Sequence, residues 1–202
     1  MTYSYLALGD SYTIGEQVKL TESFPYQAVQ LLRETGILFY TPEIIAATGW
    51  TTDELSTNIE KIRTLEKYDM VTLLIGVNDQ YRGRSVNEFS IGFEHLLKKA
   101  IGFAGDNPAH VFVLSIPDWG VTPFAAQKNR SIIAGEIDAF NKVCASTAEK
   151  YKTNFIDITR SQRTDGNIPE YLAPDGLHPS RKEYAKWAIS LSEAIKMTIP
   201  HG

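Results

Sequence analysis

Leu6-Ala7-Leu8-Gly9-Asp10-Ser11-Tyr12-Thr13-Ile14-Gly15 is the stretch on which the reading of this chain turns. An apolar run, Tyr3 to Leu8, stops at Gly-Asp-Ser, and a helical pattern begins after Ser23, so Ser11 falls in the loop beyond the C-terminal end of a strand. In open α/β sheets that edge is where ligands bind. A serine hydroxyl is a weak nucleophile until a base takes its proton and a third group orients the base. Asp175-Gly-Leu-His178, near the other end of the chain, supplies both a histidine and a carboxylate.

Strand-like and helical segments alternate outward from this stretch. Ser23 caps a helix with Pro25 in its first turn, Phe24, Ala28, Leu31 and Leu32 inward, and Gly36 as its stop. Glu43 to Ala47 reads as a second strand delivering Thr48-Gly49-Trp50 into a loop, and Thr52 opens a helix through Ile62. Asp69 to Ile75 is a nearly continuous apolar run, the pattern of a strand covered on both faces. Ser85 and Glu88 form a capping box for the next helix. His110 to Ile116 is the fourth strand, Asn129 to Lys150 the longest helix and Asn154 to Ile158 the fifth strand. Thr159 to Pro179 reads as loop, and Ser180 with Glu183 as a second capping box before a final helix. Five strands alternating with helices predict an α/β fold: a three-layer α/β/α sandwich on a five-stranded parallel sheet, flavodoxin-like, with its functional loops at the C-terminal edge.

At 202 residues the chain suits one domain spanning 1–202. A net charge of −4 with 22% charged residues gives no electrostatic footprint for nucleic acid or an anionic membrane. The single cysteine, Cys144, falls at an apolar helical position and reads as a small buried hydrophobe. Tyr3 to Leu8 is too short for a signal core or membrane span, so the chain reads as cytoplasmic and without a stable membrane anchor. His95, His110 and His201 have no acidic or cysteine neighbour at ligand spacing, and no glycine-rich loop with a lysine appears, so neither metal nor cofactor is expected.

Four short blocks fall on loops that this architecture gathers at one edge: Gly9-Asp10-Ser11, Thr48-Gly49, Gly76-Val77-Asn78-Asp79, and Asp175-Gly176-Leu177-His178. In their order the chain resembles the SGNH hydrolase superfamily, the GDSL-type esterases and lipases, and the resemblance covers nearly the whole length. It implies the SGNH hydrolase fold and a small-molecule ester as substrate. Tyr12 departs from the family's name-giving pattern, which has leucine there, and leaves the shape of the adjoining pocket open. Ser11 would attack an ester carbonyl with His178 as base and Asp175 fixing its tautomer. The oxyanion donors implied by the resemblance are the N–H groups of Ser11 and Gly49 and the amide of Asn78. Asp10 and Asp79 read as supports for their loops.

Trp50, Tyr81, Arg82, Trp119 and Phe124 are expected to rim the pocket, the rings against an acyl chain or sugar and Arg82 facing an anionic group. Short acyl esters, acetyl esters first, are the expected substrates. A lysophospholipase or acyl-thioesterase, or a non-catalytic binding module on the same fold, are the alternatives.

Overall fold

The central strands form because their residues are apolar on both faces and are covered on both. In the computed structural model, which describes residues 1–199, the strands are β1 (Tyr5–Gly9), β2 (Glu43–Ala46), β3 (Met70–Leu74), β4 (Val111–Leu114) and β5 (Asn154–Ile156). All pair in parallel, in the order β2-β1-β3-β4-β5. Every residue of β1, β3 and β4 is buried, whereas the edge strands β2 and β5 are only partly so. His201 lies outside the described residues.

Helices α2 (Phe24–Glu34) and α8 (Arg181–Thr198) pack together on one face, with Phe24 against Trp187. On the other lie α3 (Thr52–Ile59), α5 (Val86–Phe103) and α6 (Arg130–Tyr151), where Phe89 stacks on Phe140. The result is the expected α/β/α sandwich. The strand order reverses at β1, so the loops after β1 and β3 flank the switch point, the usual ligand crevice of an open α/β sheet. Gly9 ends β1 because nothing larger fits: a Cβ there would lie 2.1 Å from Thr13 Oγ1 and 2.4 Å from the Leu74 carbonyl.

Several local expectations are corrected. Three short helices occupy segments read as loop: α1 (Ser11–Ile14), α4 (Val77–Tyr81) and α7 (Thr159–Asp165). Helix α3 stops at Ile59, and Ile62 is exposed, so no burial draws the helix onward. Ser23 holds the N-cap position of α2, but its hydroxyl donates to the Leu20 carbonyl and accepts no cap bond. The Ser85–Glu88 capping box forms, but the Ser180–Glu183 box does not. Glu183 is buried and accepts from Ser161 Oγ and Trp187 Nε1, so its carboxylate ties α7 to α8 and is not turned back to the cap. Cys144 is buried as expected, and burial pushes its thiol far up. Among the described residues no helix is long and apolar enough to cross a membrane.

Candidate active site

Ser11 is the first residue of α1, with Asp10 as N-cap accepting the Tyr12 N–H at 3.0 Å. A first-turn N–H has no partner inside its helix. Among the described residues, neither the Ser11 N–H nor the Gly49 N–H donates to a protein acceptor. Burial pushes the Asp10 carboxyl up to about 8, against the lowering effect of the Tyr12 N–H, and the neighbouring charge of Asp79 adds to the rise.

The Asp175–His178 segment is a tight turn stapled at its base. Asp175 Oδ1 accepts the N–H groups of Leu177 and His178, each at 3.0 Å, and the Ala173 N–H donates to the His178 carbonyl at 2.8 Å. That turn aims the imidazole back at its own carboxylate and across at α1. His178 Nδ1 donates to Asp175 Oδ2 at 2.6 Å, and Ser11 Oγ donates to His178 Nε2 at 3.0 Å. Burial works to raise the Asp175 carboxyl, but the His178 ring and the two turn N–H groups outweigh it and hold the carboxyl below its usual range. The Tyr12 ring lies 5.4 Å from the imidazole and 6.1 Å from Trp187. It therefore backs His178 as well as lining the cavity.

Asn78 and Gly49 line the same cavity, and hydrogen bonds tie α4 to the loop before α3 that carries Gly49. Asn78 Nδ2 donates to the Trp50 carbonyl at 2.9 Å, and its second N–H has no acceptor among the described residues. Asp79, fully buried, accepts from Thr52 N at 3.0 Å, from Thr52 Oγ1 at 2.8 Å and from Arg84 at 3.1 Å. Burial raises its carboxyl despite these bonds. Arg82 donates to the Gly49 carbonyl at 2.6 Å and pairs with Glu54 at 3.2 Å. Arg82 thus ties the Gly49 carbonyl to Glu54. Gly49 itself has φ +83°, a conformation that favours glycine.

These groups open on a cavity of about 200 Å³ lined by Ser11, Tyr12, Thr48, Gly49, Val77, Asn78, Tyr81, Trp119, Phe124, Leu177 and His178. Of the five residues expected at the rim, Tyr81, Trp119 and Phe124 are there, while Trp50 packs against the core and Arg82 lies behind Gly49. Among the described residues, no group of three or more His, Cys, Asp or Glu is placed to hold a metal ion. Sequence reading missed Gln80, which is buried behind the cavity wall with its Oε1 on the Trp119 indole N–H. Its only sequence signal is its place two residues after Asn78.

An all-parallel α/β/α sheet presenting Ser, Gly, Asn and His in that order at one edge defines an SGNH-type serine hydrolase acting on esters. The chain belongs to the GDSL-like lipase/acylhydrolase family, whose model matches residues 7–186. No curated protein matches it in sequence. Among solved structures it is similar to a lipase/acylhydrolase from Enterococcus faecalis, at 20% identity and a TM-score of 0.77, over 98% of this chain and 97% of that one. It is likewise similar to TesA, at 18% identity and a TM-score of 0.76, over 98% of this chain and 100% of that one. A third is the acetylxylan esterase Axe2 from Geobacillus stearothermophilus, at 17% identity and a TM-score of 0.74, over 99% and 95% of the two chains. At these identities the likeness is one of fold.

Proposed function

We propose that the protein hydrolyses carboxylic esters of short acyl chains through an acyl-enzyme on Ser11. Carrying this reading is the unbroken hydrogen-bonded chain from Ser11 Oγ through His178 to Asp175, whose first two members line the cavity. Ser11 Oγ attacks the carbonyl carbon as its proton passes to His178 Nε2, and the C–O bond to the alcohol then breaks as that proton is returned to the leaving oxygen. Water repeats the sequence to release the acid. Asp175 holds the tautomer that leaves Nε2 free to accept, and stabilises the imidazolium. The unspent N–H groups of Ser11 and Gly49, with the second N–H of Asn78, serve as donors to the oxyanion.

The cavity size supports short acyl chains. At about 200 Å³ it falls below the roughly 300–1,000 Å³ of pockets that enclose drug-sized ligands, which suits a short acyl chain better than a long one. The similar structures include a lipase/acylhydrolase and an acetylxylan esterase, both acting on acyl esters by name. The test is the rate on p-nitrophenyl acetate, butyrate, octanoate and palmitate, with Ser11→Ala run in parallel. Acetate and butyrate should be cleaved fastest and Ser11→Ala should fall to background; activity surviving in Ser11→Ala would overturn the assignment.

A further inference from the structure

We infer that Trp119, held rigid through the buried Gln80, is the ruler that sets the acyl-length limit, which deepens the ester-hydrolase reading above and rests on it. The indole is only 4% exposed and lines the cavity, while Tyr81 and Phe124, 53% and 47% exposed, flank it edge-on with ring centroids at 5.3 and 6.0 Å. Two half-exposed rings have room to swing aside for a longer substrate. The buried ring between them cannot.

The fixing of that ring is long-range and specific. Trp119 Nε1 donates to Gln80 Oε1 at 2.7 Å, and Gln80 Nε2 donates to Glu136 Oε2 on α6 at 2.7 Å. Both ends of the Gln80 amide are thus committed, and the indole plane is set by the same short helix that carries Asn78. The backbone around Trp119 is pinned as well. Asp118 accepts from the Gly120 N–H at 2.9 Å and pairs with Arg163 at 2.8 Å, and the Phe124 N–H donates to the Gly176 carbonyl at 3.1 Å, in the turn that carries His178. A wall anchored to both the Asn78 helix and the His178 turn keeps its distance from the reacting carbon, so chain length is measured from the point of chemistry.

Replacing the indole with a smaller side chain enlarges the cavity beside the reacting groups. Trp119→Ala removes the whole indole from the cavity lining and so enlarges the space. Trp119→Leu is the better-packed variant if the alanine form folds poorly. Gln80→Leu keeps the ring but removes its acceptor. The experiment compares kcat/KM on p-nitrophenyl acetate, butyrate, hexanoate and octanoate for the wild type and these three variants.

The octanoate-to-acetate ratio should rise at least tenfold in Trp119→Leu or Trp119→Ala. It should rise about threefold in Gln80→Leu, through a lower KM for octanoate. A wild type that prefers short chains, with a ratio unchanged in either Trp119 variant, would overturn the ruler and leave the esterase reading standing. A wild type inactive on every ester would overturn both.

Discussion

Asn78→Ala separates the oxyanion role of this side chain from its structural one, because the amide has two hydrogens with two different tasks. One is held by the Trp50 carbonyl at 2.9 Å, and the other is free to meet the substrate oxygen. Losing an oxyanion donor costs a factor of about 10²–10³ in kcat, or roughly 3–4 kcal/mol of transition-state stabilisation. Losing the bond to Trp50, in a half-buried setting, costs about 1 kcal/mol of folding stability. For a chain of this length that lowers Tm by about 2–4 °C. The assay is steady-state hydrolysis of p-nitrophenyl acetate beside a thermal melt. The expected outcome is a kcat down by two to three orders of magnitude, a KM within about threefold of wild type and a Tm a few degrees lower. Asn78→Asp should be worse than alanine, since it sets a carboxylate against the developing negative charge. A kcat within a few-fold of wild type in Asn78→Ala would refute the donor role.

Two further perturbations test the supports. Asp79→Ala leaves the Thr52 N–H and hydroxyl unpaired in a buried site, while Arg84 keeps Asp53 at 2.6 Å. A loss of about 3 kcal/mol is expected, and denaturant midpoints that match wild type would contradict that supporting role. Asp10 titrates near 8 in the folded protein against 3.8 for a free carboxyl, so the folded chain binds the extra proton between those values. Stability from this group is therefore full below pH 4 and is lost as pH rises toward and through 8. Asp10→Asn, which keeps a cap acceptor for the Tyr12 N–H, should lose less stability than wild type between pH 6 and 9, and parallel profiles would show that Asp10 is ionised throughout.

The four blocks were legible because each follows an apolar run or precedes a periodic helix, so the residue order mapped directly onto one sheet edge. Strand count, parallel sense and the layer arrangement followed from the same alternation. Helices α1, α4 and α7 were not legible, since four to seven residues carry too little periodicity to stand out from a loop. The reading of Asp79 as a loop support stands with its partner now named: Thr52, which lies 27 positions away and is signalled by nothing near Asp79. Arg82 looked free in the sequence because its acceptors, the Gly49 carbonyl and Glu54, meet it only through the fold. Tyr12 looked like a pocket-shaping substitution, yet its ring also backs the imidazole, a contact made across the whole length of the chain.

Peptide mapping by mass spectrometry after incubation with a p-nitrophenyl alkylphosphonate tests the activated nucleophile most directly. Such a reagent phosphonylates a serine whose proton is taken by a neighbouring base, with loss of p-nitrophenol. One adduct per chain, on the peptide containing Ser11, is expected, along with loss of esterase activity in proportion to labelling and no adduct in Ser11→Ala. A chain that still hydrolyses p-nitrophenyl acetate while Ser11 stays unmodified, or that carries the adduct elsewhere, would contradict Ser11 as the nucleophile.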